Sequence, residues 1–440
     1  MSSYSFKLRS KKILNIAIPA GLNSLLDIGN IVIGFFLMGK LSEFHIIAVG
    51  LGLNFFMLLY AITNLFFVGT NAQISRLYGK KDYQRMNEVL SSMFFGVIIL
   101  SIPIYIIAKL LYSSYFTWIG VDTTSQLLGE IFTDIIIVSI PAILLKGIII
   151  SSFSATGNTK IPFYIKTIIT ILNLLLSYIL IFGILFEPFD IVGIAISNLI
   201  VSYIELIILL AFLTKKDIKL KLIYFFNINL LKKGISIGLP VGFERAFTII
   251  SLILISKFIA SYGSEDLAGF QIGTRIEAFA FMPSFGFMVA SMALTGQYLG
   301  ANKKDLLKQF IYTTIILASI FMGVMGLIMV FFGDNISYLF NKGDRVIYSS
   351  TMYLLCVGIS QIPLVFIFVL DGAYRGAGAT KISLFINTIS IWSIRILPMY
   401  ICLKLNLAIL YIYLIILIET VIRGFIFLYI FRKYFDDIFK

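Results

Sequence analysis

Long uninterrupted apolar runs constrain this chain more than any other feature of its sequence. An α-helix rises about 1.5 Å per residue, so about 20 apolar residues cross a hydrocarbon core of roughly 30 Å. We count twelve such runs, with no stretch between them long enough for a soluble domain: 13–39, 46–75, 89–112, 130–153, 161–185, 191–213, 234–261, 267–297, 309–332, 349–373, 382–402 and 406–431. Because the chain is also 59% hydrophobic and only 13% charged, we predict an all-α polytopic membrane protein with twelve transmembrane helices.

Lysine and arginine are distributed unequally between alternate loops. Loops on the side of the N-terminus hold 23 of the 35 basic residues. The opposite loops hold four: Lys40, Lys342, Arg345 and Lys404. Since basic residues accumulate in cytoplasmic loops, we predict a multi-pass protein of the inner (cytoplasmic) membrane of a prokaryote with both termini in the cytoplasm. The net charge of +13 reflects this bias, so we expect no nucleic-acid partner.

Few side chains in the sequence suit metal binding or acid–base catalysis. His45 is the only histidine and falls in a short outer loop, and both cysteines, Cys356 and Cys402, fall within predicted spans. Neither a disulfide framework nor a zinc-type metal site is indicated. A membrane enzyme such as an acyltransferase generally needs a histidine or a pair of acids at the interface. We therefore predict a protein that is not an enzyme and has no cofactor.

The second half of the sequence repeats the first at a constant offset. "KKILNIAIPAG" at 11–21 matches "KKGISIGLPVG" at 232–242, and "SATGNTKIPF" at 154–163 matches "RGAGATKISL" at 375–384. Both pairs of stretches have the same separation along the chain, which we call the repeat offset. Six spans per copy is an even number, so both copies face the same way, as in the parallel repeats of some secondary transporters. The predicted divisions are an N-terminal six-helix lobe (1–213), a cytoplasmic linker (214–232) and a C-terminal six-helix lobe (233–440).

Five stretches together resemble one transporter family. They are "FMPSFGFMVASMALTGQYLGANKKD" (281–305), "RGAGATK" (375–381), "IAIPAGLNSLL" (16–26), "GLPVGFERAF" (238–247) and "IVGIAISN" (191–198). They are similar to the multidrug and toxic compound extrusion (MATE) transporters. The resemblance implies two lobes forming a V around a central cavity, and alternating-access export of cationic or amphipathic drug-like compounds in exchange for sodium or protons. Besides this substrate, the lipid bilayer is the expected partner, and we expect a functional monomer.

Two acids near the membrane midplane are the first candidates for ion coupling. Glu244 and Glu277 each lie eleven residues from a charged residue at the end of the span, or roughly 16 Å deep. A charge at that depth costs on the order of 3 kcal/mol, so it needs a reason. The two carboxylates could hold a sodium ion, or one of them could take up a proton. Further cavity or ligand oxygens come from Gln271, Thr295 and Ser284.

Structural alternatives to this coupling role remain open. Three arginines within the spans need neutralising: Arg245, Arg275 and Arg395. Glu244 and Glu277 could serve them in a structural network. Asp371 resembles an acidic position that some family members carry before the span 10 motif, but it could simply pair with Arg375. The same arginines keep an alternative function open, a lipid-linked oligosaccharide flippase of related architecture, since that cargo is polyanionic.

The N-terminal lobe departs from the family pattern. Gly34 and Ser177 stand where proton-coupled relatives typically have aspartates. We therefore expect the C-terminal lobe to couple transport, with sodium favoured over protons. Asp27 lies two helical turns before Gly34 and is the remaining acidic candidate in this lobe. Its alternative is an ion pair with Lys146 or Lys166.

Amides and prolines complete the candidates. Asn173 and Asn198 could line a polar substrate cavity or bind helix to helix, the commoner use of such side chains. Pro19 and Pro240 each remove a backbone hydrogen bond at equivalent places in spans 1 and 7. They are either static kinks or hinges for alternating access.

Overall fold

A computed structural model describes residues 5–183, 187–340 and 342–439. Helices dominate these residues. In chain order they are α1 (Phe6–Gly39), α2 (Glu43–Lys80), α3 (Tyr83–Ile119), α4 (Thr123–Ile137), α5 (Ile140–Ala155), α6 (Lys160–Phe182), α7 (Asp190–Leu213), α8 (Ile228–Ala260), α9 (Ser264–Gly300), α10 (Lys304–Phe340), α11 (Asp344–Ile359), α12 (Gln361–Ala377), α13 (Thr380–Ile389), a π-helix (Ser390–Ile396), α14 (Leu397–Lys404), α15 (Ile409–Lys433) and α16 (Phe435–Ile438).

The helices confirm the predicted fold class. Within the described residues, ten helices are long and apolar enough to cross a membrane. The count reaches twelve when each of two bent helix pairs is taken as one span. The end of the fifth predicted span, residues 184 and 185, lies outside the described residues.

Two predicted spans, the fourth and the tenth, are bent. The angle between α4 and α5 is 51°, and that between α11 and α12 is 57°. Pro141 and Pro363 follow the breaks within the first turn of α5 and of α12. Proline has no N–H to bond the preceding turn, so the helix is interrupted there. Ser139 and Ser360, which precede α5 and α12, are themselves separated by the repeat offset.

The repeat seen in the sequence recurs in the helix bounds. α3 and α10 begin and end at positions separated by the repeat offset, and α2 and α9 begin with the same separation. Both copies therefore break the chain into helices at matching places. The two copies differ in span 11, where the second copy carries the π-helix and the first has the continuous α6.

The chain forms two compact units. Unit 1 comprises Met1–Gly21 and Pro240–Lys440, and unit 2 comprises Leu22–Leu239. Large side chains fill the interior of unit 1, among them Phe310, Tyr374, Phe427 and Phe431. The interior of unit 2 includes Phe66, Leu90, Phe153 and Leu209. These units divide α1 and α8 internally, whereas the predicted lobes, with limits at 213 and 233, follow the sequence repeat and stay a prediction.

Close glycine contacts explain this division of α1 and α8. In unit 1, a Cβ placed on Gly286 of α9 would lie 2.0 Å from the carbonyl oxygen of Ala17 in α1. In unit 2, a Cβ on Gly238 of α8 would lie 1.9 Å from the carbonyl oxygen of Leu65 in α2. The repeat offset separates Ala17 from Gly238, and also Leu65 from Gly286. Each repeat therefore packs the first half of its leading helix against the second helix of the other repeat, through small residues.

The segment before α8 lies along α3 in unit 2. Backbone N–H groups of Lys221, Ile223 and Asn227 donate to side-chain oxygens of α3 at 2.9–3.0 Å. The acceptors are Asn87, Ser91 and Ser92. The predicted linker reaches residue 232, but α8 already begins at Ile228. The prediction ended the linker at the basic pair Lys232 and Lys233, whereas the helix also includes the apolar residues Leu230 and Leu231 before that pair.

Candidate functional site

Glu244 of α8 lies at the centre of a buried polar cluster in unit 1. Its Oε1 accepts hydrogen bonds from Arg375 Nη2 of α12 (3.0 Å) and Asn387 Nδ2 of α13 (2.9 Å). Asp371, one turn before Arg375, pairs with the same Nη2 at 2.6 Å. Glu244 Oε2 and Asp371 Oδ1 are buried and have no hydrogen-bond partner among the described residues. Unpartnered buried carboxylate oxygens are costly, so these two atoms are where a cation or a proton would be most stabilising.

The cluster continues through Asn387 to a second acid. Asn387 Oδ1 accepts from Arg423 Nη1 of α15 at 3.4 Å. Arg423 Nε lies 3.1 Å from Glu419 Oε1, and Arg395 Nη2 pairs with Glu419 Oε2. Glu419 is fully buried. We call the seven joined residues the acid–arginine network: Glu244, Asp371, Arg375, Asn387, Arg395, Glu419 and Arg423.

The π-helix positions one side of this network. Ser390 and Arg395 are five residues apart in Ser390–Ile396, and both contact Glu419. Five residues correspond to about 140° of rotation in an α-helix, but π-helical i to i+5 bonding brings such residues onto one face. Sequence reasoning missed this segment, since its apolar pattern resembles that of an ordinary span.

Glu277 of α9 has a different partner. It accepts the hydroxyl hydrogen bond of Tyr353 from α11, and Tyr353 packs edge-on against Phe270 and Tyr413. The structure thus brings Asp371, not Glu277, to Glu244. Within the described residues, no group of three or more acidic, histidine or cysteine side chains is arranged to hold a metal ion. Sodium at Glu244 and Glu277 stays a prediction.

The other oxygens proposed beside these acids are dispersed. Gln271 is exposed. Ser284 is buried, with its hydroxyl against Met322 Sδ at 2.6 Å. Thr295 is fully buried, and its Oγ1 has no hydrogen-bond partner among the described residues. Of the three, Thr295 is the one whose side-chain oxygen is both buried and without a hydrogen-bond partner among the described residues.

The arginines that competed for these acids are also separated. Arg245 and Arg275 are exposed, and Arg395 pairs with Glu419. Glu244 instead pairs with Arg375, which the sequence assigned to Asp371 alone. The predicted pairing of Asp371 with Arg375 is confirmed as a contact. The Arg375 guanidinium also contacts Glu244, so it joins the two acids.

In unit 2, Asp27 and Glu205 each pair with a lysine. Asp27 of α1 lies 2.7 Å from Lys166 of α6, one of its two predicted alternatives. The other, Lys146 of α5, lies 2.5 Å from the buried Glu205 of α7. All charges in these two pairs are therefore matched.

Amides join α6 to α7. Asn173 Nδ2 donates to Asn198 Oδ1 at 3.1 Å, which is the helix-to-helix use. Asn198 and Glu419 are separated by the repeat offset, and Asn173 and Arg395 by one position more. Along the sequence, the neutral amide pair of the first repeat thus corresponds to the Arg395–Glu419 ion pair of the second to within one residue.

The two prolines lie where the units divide α1 and α8. Pro19 is two residues before the end of Met1–Gly21, and Pro240 is the first residue of Pro240–Lys440. Both are buried inside continuous helices. Each therefore weakens its helix at the point where packing changes from one unit to the other.

A repeated set of apolar spans with charges inside them defines the class: a polytopic membrane transporter, in which intramembrane charges are usually functional. A family model described as MatE matches residues 19–179 and 240–401, most of the chain. The protein belongs to the MATE family of membrane transporters and is not an enzyme.

Curated relatives are bacterial. A probable multidrug resistance protein NorM of Thermotoga maritima is 26% identical over 56% of this chain and 54% of its own length. The chain thus matches about half the length of that relative. YoeA of Bacillus subtilis, a probable multidrug resistance protein, is 22% identical over 86% of this chain and 84% of its own. The multidrug export protein MepA of Staphylococcus haemolyticus is 23% identical over 87% and 85%.

Solved structures share the fold over the full chain. A mutant of the Vibrio cholerae MATE transporter VcmN superposes with a TM-score of 0.92, at 18% identity, over 99% of both chains. A MOP superfamily transporter from Pyrococcus furiosus gives 0.91, at 18% identity, over 100% of both.

Proposed function

We propose that this protein exports cationic or amphipathic drug-like compounds across the cell membrane in exchange for sodium ions or protons. The relatives named above are multidrug resistance or export proteins, and the chain shares their family. Alternating access would proceed by bending of α1 and α8 at Pro19 and Pro240.

The charge balance of the unexposed groups in the spans of unit 1 is the observation that carries ion coupling. Four carboxylates there are not exposed, those of Glu244, Glu277, Asp371 and Glu419, and three guanidinium groups are not exposed, those of Arg375, Arg395 and Arg423. Arg245 and Arg275 of the same spans are exposed and stand outside this group. With all seven ionised, the group has one negative charge more than it has positive charges. One monovalent cation or one proton therefore neutralises it, which is favourable where water is scarce.

The free carboxylate oxygens decide where that charge would bind. Glu244 Oε2 and Asp371 Oδ1 face no donor among the described residues, whereas both oxygens of Glu419 are taken. Glu244 and Asp371 share Arg375. A sodium ion or a proton on either acid would compete with that guanidinium, so uptake would change how Arg375 ties α8 to α12.

The flippase alternative depended on arginines in excess of acids. Arg395 is neutralised by Glu419. Arg245 and Arg275 are exposed, so the flippase alternative now depends on these two arginines.

The test is export of rhodamine 123, a fluorescent monocation, from proteoliposomes under a sodium gradient and, separately, under a proton gradient. Wild type should respond to one of them. Glu244→Gln keeps the acceptor Oε1 for Asn387 but removes the charge, so it should lower gradient-driven transport at least about tenfold. Glu130→Gln, which changes an acid of α4 bonded to Ser113 and Gln126, is the matched control and should transport normally.

Glu277→Gln separates the two sequence-based candidates. If Glu277 contributes only charge balance, the variant should retain transport with a weaker dependence on the ion. Rhodamine 123 that remains inside under both gradients would contradict drug export, and full transport by Glu244→Gln would contradict coupling at this acid.

A further inference from the structure

An ion pair in a membrane span of unit 2 is partly open to the surroundings. The side chain of Asp27 is 43% exposed, whereas that of Lys166 is 13% exposed. Their charged atoms are 2.7 Å apart. Because charged side chains in spans face the bundle interior or a water-filled space rather than lipid, Asp27 presents its carboxylate to water. A dissolved molecule can therefore reach this pair.

The surroundings of the pair are electrically neutral. Lys146 and Glu205 form a second pair in the same unit, and Glu205 is within electrostatic range of Lys166. Two lysines thus balance two acids. Adding a monocation beside the largely buried Lys146–Glu205 pair would create an uncompensated positive charge, whereas adding a molecule with one charge of each sign would not.

Polar side chains extend the pair along both helices. On α1, Asn23 lies one turn before Asp27, and its buried Oδ1 has no hydrogen-bond partner among the described residues. On α6, Thr170 lies one turn after Lys166 and accepts from Asn30 at 3.2 Å. Residues three or four apart share a helix face, so α1 and α6 carry facing polar stripes.

A second unused acceptor lies further along α6. Asn173 is 9% exposed, and its Oδ1 has no hydrogen-bond partner among the described residues. Buried amide oxygens without donors at both ends of the stripe indicate that a donor from a bound molecule completes this surface.

We propose that the Asp27–Lys166 pair is a binding site for zwitterions, compounds that carry a cationic nitrogen and an anionic oxygen group. Asp27 holds the cationic group, Lys166 holds the anionic group, and a spare amide oxygen accepts from the ligand. The Asp27–Lys166 ion pair is exchanged for two protein–ligand ion pairs, with no change in total charge. The inference rests on the proposed export function, whose substrate class it narrows.

Two dyes that differ by one methyl group test the proposal. Rhodamine 110 has a free carboxylate and is zwitterionic at neutral pH, whereas rhodamine 123 is its methyl ester and a monocation. Fluorescence anisotropy of each dye with purified protein in detergent measures binding without any gradient. Wild type should bind rhodamine 110 more tightly than rhodamine 123.

Variants assign the preference to Lys166. Lys166→Met removes the partner of the ligand carboxylate, so the preference for rhodamine 110 should fall about tenfold, the effect of a lost charge-assisted hydrogen bond. Lys166→Arg should keep the preference. Asp27→Asn/Lys166→Met leaves no unpaired charge and should lose the preference as well, which provides a test if Lys166→Met does not fold.

Lys109→Met is the matched control, since it removes the lysine of another pair in the same unit, with Asp134, and should leave the preference unchanged. Equal binding of the two dyes by wild type, or an unchanged preference in the Lys166→Met and double variants, would overturn the proposal. Failure of gradient-driven rhodamine 123 export would remove the proposed function alone, because binding is measured separately.

Competition identifies the source of the zwitterion. Displacement of rhodamine 110 by dihexanoyl phosphatidylethanolamine, but not by dihexanoyl phosphatidylglycerol, would assign a lipid head group as the ligand. Rhodamine 110 that is displaced by neither lipid would assign a soluble zwitterion. Either result retains the zwitterion site.

Discussion

At the scale of single residues, Glu419 shows how a charge survives inside a membrane span. Both its oxygens are occupied, by Arg395, Arg423 and Ser390. These three partners come from the π-helix and from its own helix, α15. Depth along a helix gives the position of a charge in the membrane; it does not give the direction in which the side chain points.

Replacing this acid should destabilise the protein. Glu419→Gln leaves two largely buried guanidinium groups without a carboxylate, which typically costs about 3 to 5 kcal/mol. The apparent melting temperature should fall clearly, measured by reaction of a thiol-specific dye with Cys356, which is buried in the native protein. Asp134→Asn breaks a more exposed pair with Lys109 and should cost less than about 1 kcal/mol. Equal shifts for both variants would contradict a structural role for Glu419.

At the scale of helices, close backbone contacts at glycines hold the first half of α1 against α9 and the first half of α8 against α2. The backbones meet at Gly286 and Ala17 in unit 1, and at Gly238 and Leu65 in unit 2. A backbone carbonyl cannot move aside as a flexible side chain can, so any Cβ at these glycines forces the helices apart. Gly238 lies in one of the repeated stretches of the sequence. Neither contact could be predicted from the repeat, because the partners belong to different repeats and are distant along the chain.

Gly286→Ala and Gly238→Ala should each lower thermal stability, because the added methyl would lie about 2 Å from a carbonyl oxygen and such overpacking costs about 1 to 3 kcal/mol. Gly323→Ala on α10 is the control. Its Cβ meets nothing within 4 Å, and alanine favours a helix over glycine, so its melting temperature should be unchanged or higher. The same loss in all three variants would indicate a general effect of glycine replacement.

Pro19 and Pro240 should matter for motion more than for binding. Pro240→Ala restores a backbone donor that can bond the carbonyl of Ser236, which stiffens α8 where its packing changes. Rhodamine 123 export should slow several-fold while the binding affinity stays near that of wild type. Pro103→Ala, inside α3 and within one unit, should leave the rate unchanged. A normal rate in Pro19→Ala and Pro240→Ala would identify both prolines as static kinks.

At the scale of the whole molecule, the even number of spans and the distribution of basic residues predict that both termini are cytoplasmic. Single cysteines in a Cys356→Ala/Cys402→Ala background test this with a membrane-impermeant thiol reagent on intact cells. Lys342→Cys should react directly, whereas Lys216→Cys should react only after permeabilisation. Both positions are exposed. The opposite labelling pattern would invert the orientation and, with it, the direction assigned to transport.

The amino-acid sequence by itself determined the membrane class, the spans and the internal repeat, because the thickness of the bilayer imposes a length and a polarity that are read along the chain. It also placed Glu244, Glu277, Asp371 and Asp27 inside the membrane. Only the tertiary structure decided that Glu244 meets Asp371 through Arg375, and that Asp27 meets Lys166. Such partners lie on different helices and depend on rotation about each helix axis, which packing and the π-helix fix and which hydropathy does not record.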